Sequence, residues 1–107
     1  LAELKGRRIA VLGDMLELGA YQAEGHRKVG RRAAEVVQKL VTVGELGTQI
    51  GREAIAVGMP EGDVYFAQDN GEAVRVLSDL VGPGDIVLVK GSRGMHMEEI
   101  VAALGER

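Results

Sequence analysis

Arg8-Ile-Ala-Val-Leu-Gly-Asp-Met-Leu-Glu-Leu-Gly19 reads as a strand that runs into an acidic loop bounded by glycine. Ile9 to Leu12 is a continuous apolar run with β-branched members, the pattern of a strand covered on both faces, and Gly13-Asp14 ends it. The loop opens at the carboxyl end of the strand. In open α/β sheets that end is where ligands collect, so Asp14 to Gly19 is the first candidate for chemistry.

The same grammar repeats downstream. Residues 22 to 39 read as a helix, because Val29, Ala33, Val36, Val37 and Leu40 recur at helical spacing while Arg27, Lys28, Arg31, Arg32 and Glu35 fall elsewhere. Leu40-Val-Thr-Val43 is a second strand. Leu46, Ile50, Ala54 and Val57 mark a second helix, with Gly47 and Gly51 on a neighbouring strip that allows close packing, and Gly58-Met-Pro-Glu-Gly62 stops it. Val64-Tyr-Phe-Ala67 is the third strand. Asp69 to Glu72 caps a helix carrying Ala73, Val76, Leu77, Leu80 and Val81. After the Gly82-Pro-Gly-Asp85 turn, Ile86-Val-Leu-Val89 is the most apolar strand, which places it in the sheet interior. Lys90-Gly-Ser-Arg-Gly94 follows at its carboxyl end, then a helix with Met97, Ile100, Val101 and Leu104 inward.

Four strands alternating with four helices predict a three-layer α/β/α, Rossmann-like domain around a mainly parallel sheet. The front of the chain reads as cut: Leu1-Ala-Glu-Leu4 has the spacing of a helix end, and Lys5-Gly6 supplies the cation and glycine expected beyond it. The expectation is a piece of a longer polypeptide.

Composition narrows the classes. The 107 residues suit one domain, and with 46% hydrophobic residues but 3% aromatics the core must be aliphatic. Cysteine is absent, which removes disulfide frameworks and thiolate metal sites. A net charge of -3 with mixed signs offers no footprint for nucleic acid, and no apolar run approaches a membrane span. No G-x-x-x-x-G-K-[ST], no G-x-G-x-x-G after a strand, no zinc-ligand spacing and no nucleophile elbow occurs. The chain is therefore expected to contribute binding groups to a centre completed elsewhere.

Two strand ends stand out. Gly13-Asp-Met-Leu-Glu-Leu-Gly19 and Lys90-Gly-Ser-Arg-Gly-Met-His-Met97 are predicted to project from one sheet edge, setting carboxylates beside a lysine, an arginine and helix-start amides. That mixed rim suits a zwitterion such as an amino acid or peptide. Backbone amides, Ser92 and Arg93 would take its carboxylate, and Asp14 or Glu17 its ammonium. Bland readings stand beside these. Asp14 also suits an Asx-type bond to its own loop, Ser92 the N-cap of the last helix, and His26 a packed or loop-bracing role rather than a general base. Lys90 favours function, since an ammonium ending a buried strand is costly unless it reaches a polar site.

Val11-Leu-Gly-Asp-Met-Leu-Glu-Leu-Gly19, Glu24-x-His26 to Gly30, and Pro83-Gly-Asp-Ile-Val-Leu-Val-Lys-Gly-Ser-Arg-Gly-Met-His-Met-Glu98 together resemble the C-terminal domain of the Mur ligases, in the branch that adds D-alanyl-D-alanine to UDP-N-acetylmuramoyl-tripeptide. The resemblance implies a cytoplasmic, three-domain, ATP-dependent enzyme of peptidoglycan synthesis. Its central domain holds ATP and Mg2+, the tripeptide carboxylate is phosphorylated, and the dipeptide amine attacks the acyl phosphate. It also implies that residues 1–107 form the C-terminal closure domain without its first strand and helix. The implied partners are its own N-terminal and central domains and the two substrates. The site positions that carry over are Gly13, Asp14, Met15, Lys90, Gly91, Ser92 and Arg93. Two alternatives stay open: a stand-alone flavodoxin-like binding module, and an interaction domain whose exposed sheet edge pairs two copies as a dimer.

Overall fold

The computed structural model describes residues 7–14, 22–91 and 96–105. Strands β1 (Arg8–Gly13), β2 (Lys39–Val43), β3 (Val64–Ala67) and β4 (Ile86–Lys90) form one parallel sheet in the order β3-β2-β1-β4. Helices α1 (Gln22–Val36), α2 (Glu45–Ala56) and α3 (Asn70–Leu80) make the crossovers, and α4 (Glu98–Gly105) follows β4. The α/β class and the number of elements agree with the sequence reading.

Alternation along β1 sorts the core into two layers, as the period of a strand requires. Ala10 and Leu12 point to α1 and α2, where they meet Ala33, Leu40, Ile50, Ala54, Met59 and Val64. Ile9 and Val11 point to α3 and α4, where Val41, Val43, Leu77, Met97 and Ile100 complete the second layer. Gly30 sets the spacing of α1 and α2, because a side chain there would run into the Ile50 carbonyl. Gly47 and Gly51 are buried, as their strip predicts.

The chain steps from β1 to β2 to β3 across one face, then returns across the other face to β4. Crossovers that step in opposite directions on opposite faces share one hand, as parallel connections almost always do. This order corrects one expectation. β4 lies at the edge of the described sheet, not in its interior. Its apolar residues answer to cover on its faces instead: Val87 and Val89 pack on the α3/α4 layer. Leu88, on the opposite face, remains 49% exposed. It borders an apolar groove of about 240 Å³ lined by Ala10, Leu12, Val29, Ala33 and Val36, with Arg32 and Lys90 among its wall residues.

The amino end of the sheet is latched by ion pairs. Arg7 donates to the Asp85 carboxylate at 2.8 Å and to the Leu80 carbonyl at 2.6 Å, and the Gly82 amide also donates to Asp85 at 2.8 Å. Lys39 and Asp63 pair at 2.6 Å beside it. Hydrogen bonding from Arg7, then from Gly82, holds the Asp85 carboxyl below its ordinary range. Such a carboxyl takes up a proton less readily in the folded chain than in the unfolded one. Its stabilisation is therefore complete above an unfolded value near pH 4 and is lost as pH falls through the lower folded value. Denaturant midpoints measured from pH 7 down to about pH 2 should fall on the acid limb for the native chain, and the Asp85→Asn variant should show a flatter limb.

Candidate functional site

In an order β3-β2-β1-β4 the chain leaves β1 in one direction and returns on its other side, so the topological switch point lies between β1 and β4. Their register pairs Leu12 with Lys90 and carries Gly13 and Gly91 out together at the carboxyl ends. A Cβ built on Gly91 would lie 3.5 Å from the Gly13 Cα and 2.8 Å from Met97 Cγ, so the two backbones and the start of α4 meet with no room for a side chain. The expected convergence of the two strand ends is thus present.

Asp14 stands at this crevice, half-buried, and its Oδ1 accepts a hydrogen bond of 2.8 Å from the Gly47 amide. Gly44, the N-cap position of α2, makes no side-chain cap of its own. The carboxylate at the end of β1 therefore caps the helix that leaves β2, satisfying a donor that α2 would otherwise leave open and placing negative charge at its positive end. The local Asx reading, a bond from Asp14 to its own loop, falls on residues 15–21, outside those described. Gly44 has φ 92°, and a Cβ there would lie 2.7 Å from Asp14 Oδ1, so both backbone and space demand glycine.

Lys90 is exposed, on the face of β4 that carries the apolar groove. The desolvation argument for its function therefore fails: its strand is an edge, so its ammonium reaches water unaided. Beyond β4, Met97 is buried and Ile100 fully so, which anchors the first turn of α4 in the core. His96 precedes it with φ 52°, the one non-glycine residue in the left-handed region among those described. Asn70, the first residue of α3, donates to the His96 carbonyl at 3.1 Å and to Glu99 Oε1 at 3.3 Å. Asp69 caps α3 by accepting from the Glu72 amide at 2.8 Å, as the sequence predicts.

Gly13, Asp14, Lys90 and Gly91 are thus brought to one rim. Met15, Ser92 and Arg93 lie outside the described residues, as does Glu17. His26 is fully buried in α1, in keeping with a packed histidine. Arg27, Lys28 and Arg32 are exposed, and Arg27 and Arg32 pair with Glu24 and Glu35 as a solvated face would. A cavity of about 490 Å³ lies on the same rim beside β2 and β3, between Gly44, Thr48, Phe66 and Glu72, and so away from the switch point. Sequence reasoning missed Gly44, Gly47 and Asn70. The G-E-L-G spacing from Gly44 to Gly47, which leaves α2 without a capping side chain, was the available signal for the first two. For Asn70 no local signal existed.

Residues 1–93 match the family described as Mur ligase, glutamate ligase domain. The chain is 38% identical over 109 residues to the UDP-N-acetylmuramoyl-tripeptide--D-alanyl-D-alanine ligase of Escherichia coli, covering 99% of the chain and 23% of that relative. The Bacillus subtilis protein of the same name is 32% identical over 102 residues, covering 94% of the chain and 22% of the relative. A crystal structure of MurF from Acinetobacter baumannii superposes with a TM-score of 0.80 at 31% identity, over 96% of this chain and 23% of that one. The MurF ligase of Thermotoga maritima, solved in complex with ADP, shares the fold with a TM-score of 0.74 at 24% identity, over 96% of this chain and 22% of that one. The chain thus spans less than a quarter of the length of these relatives.

The capping role of Asp14 has a direct consequence. Asp14→Ala should destabilise the chain by about 1 kcal/mol, while Asp14→Asn, which keeps an acceptor oxygen, should retain most of that. Gly44→Ala should cost at least as much, roughly 1–2 kcal/mol, through strain and collision with Asp14. Urea denaturation of the three variants checks the ranking.

Proposed function

The chain belongs to the Mur ligase family, and from that premise we propose that it is the C-terminal closure domain of an ATP-dependent ligase that joins D-alanyl-D-alanine to UDP-N-acetylmuramoyl-tripeptide in peptidoglycan synthesis. The observation that carries the reading is the meeting of Gly13-Asp14 with Lys90-Gly91 at the switch point. Family membership alone leaves the substrate open; the rim supplies the chemistry.

The incoming dipeptide is a zwitterion. In this reading Lys90, with Arg93 and Ser92 beyond it in the sequence, receives its carboxylate. The carboxylate of Asp14 steers its ammonium. One Asp14 oxygen is already engaged by the Gly47 amide, so its carboxylate is held in orientation before any ligand arrives. The domain's part in the reaction is then positional: it holds the amine component against an activated carboxyl carried by the rest of the enzyme. ATP and Mg2+ belong to the full-length enzyme, on its central domain. Among the described residues no group of three or more His, Cys, Asp or Glu side chains is placed to hold a metal ion, and none is assigned to one. The reading places the enzyme in the cytoplasm. No helix among the described residues is long and apolar enough to cross a membrane.

The outer edge of β4, which no strand among the described residues pairs, supports residues 1–107 being a piece of that enzyme. A helix arriving at β1 from a strand beyond β4 would cross the groove beside Leu88 with the same hand as the other crossovers, covering the apolar wall as it does so. The upstream strand and helix of the longer chain fill this place in our reading.

Two measurements test these points. In the full-length ligase, Lys90→Ala and Arg93→Ala should each raise KM for D-alanyl-D-alanine about tenfold, the loss expected for one charge-assisted contact, with an unchanged circular dichroism spectrum; unaltered kinetics in both would remove the cationic side of the rim. Light scattering of the 107-residue chain alone should show dimers forming through the open β4 edge at high concentration, whereas a longer chain carrying the upstream strand should stay monomeric; a strict monomer in both cases contradicts edge pairing.

A further inference from the structure

We infer that the outer edge of β3 is a docking site for an extended segment of another protein, one in which basic and apolar side chains alternate. The inference is independent of the substrate rim.

β3 is one of the two edge strands of the sheet, and no strand among the described residues pairs with its outer side. Its ends, Val64 and Ala67, are buried; between them Tyr65 is half-buried and Phe66 is 42% exposed. As neighbours in a strand, the two aromatic residues lie on opposite faces of the sheet. Each borders a groove. The Phe66 ring lies over Gly51 of α2, where a Cβ would come within 2.5 Å of its Cε1. The same ring walls the cavity of about 490 Å³ that Glu45 and Glu72 also line. Tyr65 packs on the α3 layer and borders a second groove of about 270 Å³, whose other walls are Val76, Asp79 and Leu80. The strand carries neither the lysine nor the proline with which natural edges discourage pairing.

A strand added to such an edge gains main-chain hydrogen bonds and sends successive side chains to opposite faces, hence into alternate grooves. The two grooves ask for different residues. Beside Phe66, two carboxylates and an aromatic face suit a lysine or arginine whose stem lies along the ring. Beside Tyr65, Val76 and Leu80 suit an apolar side chain.

Charge settles the occupant. Glu61 and Asp63 precede the strand and Asp69 follows it, and no lysine or arginine is among the described residues that line either groove. Two cations stand close by without changing this balance. Lys39 pairs with Asp63 at 2.6 Å, and Arg75 reaches within 3.9 Å of the Cβ position of Gly71, at the start of α3. A second copy of this chain, paired antiparallel along β3, would set these acidic flanks against one another. A basic segment meets them with the opposite sign.

The test uses the full-length ligase and the probe peptide acetyl-Lys-Val-Arg-Val-Lys-amide. The peptide should bind, and acetyl-Lys-Arg-Val-Val-Lys-amide, of equal composition but broken alternation, should bind at least about fivefold more weakly. Hydrogen exchange by mass spectrometry should show slower exchange at residues 64–67 in the complex. A Glu45→Gln, Glu72→Gln double variant should weaken binding about fivefold. Phe66→Leu, which still fills the space over Gly51 but offers no aromatic face, should weaken it about threefold, whereas Phe66→Tyr should not. Ligation kinetics should be unchanged in all of these variants.

Absence of binding overturns the proposal. Equal binding of the two peptides, or unchanged exchange at residues 64–67, also overturns it, because either result reduces the edge to a diffuse acidic surface. If light scattering shows a dimer of the full-length ligase that Phe66→Leu weakens, the occupant is a second copy, and the assignment to another protein is overturned. Loss of ligation activity in the edge variants would merge this edge with the catalytic centre and overturn its separate role.

Discussion

Everything in this domain follows from the need to bury β1 on both faces and along both edges. Five of its six residues are fully or nearly fully buried, which requires helices above and below and a hydrogen-bonded neighbour on each side. β2 supplies one neighbour by the shortest right-handed crossover. The other must come from the far end of the sequence, and β4 supplies it. Once those two pairings are made, the carboxyl ends of β1 and β4 lie together and the crevice between them is unavoidable. The candidate site is therefore a by-product of solving the burial problem, and only its side chains remain for selection to choose.

The choice at position 14 serves both needs. A carboxylate at the end of β1 reaches the amino end of α2, where glycine at the cap position supplies no side-chain cap of its own. The bond joins a central strand to a helix three elements further along the chain, across the rim where ligands are proposed to sit. A change at Asp14 thus acts on stability and on binding at once, and activity measured alone cannot separate them. The same pattern recurs on the other side of the crevice. There a side chain from the start of α3 braces the start of α4. Both ends of the rim are held by groups from elements other than their own.

Most of the fold was legible because helices and strands announce themselves by period. Val29, Ala33 and Val37 fall on one stripe; Ile9 to Leu12 and Leu40 to Val43 read as strands buried on both faces; Asp69 announces a helix start. Strand order was less so. Ile86 to Val89 has the composition of a central strand, yet it stands at the edge, because hydrophobicity records cover over the faces of a strand and says nothing about its flanks. The Lys90 argument failed for the same reason. The convergence of the two strand ends could be foreseen from alternation of strands and helices, since parallel strands point the same way. What no local pattern encodes is a bond between residues far apart, and Asp14 to Gly47 and Asn70 to His96 are both of that kind.

The pairing of the first strand with the last also governs how the molecule comes to exist. Arg7 and Asp85, which close the latch at the start of these two strands, are 78 positions apart in the chain. On a ribosome β1, β2 and β3 emerge and can associate first, while one flank of β1 stays bare until β4 clears the exit tunnel. The pairing of β1 with β4 closes a long loop of chain, and loop-closure entropy makes that step slow. The interval leaves one flank of a strand that is buried on both faces without its hydrogen-bonded neighbour.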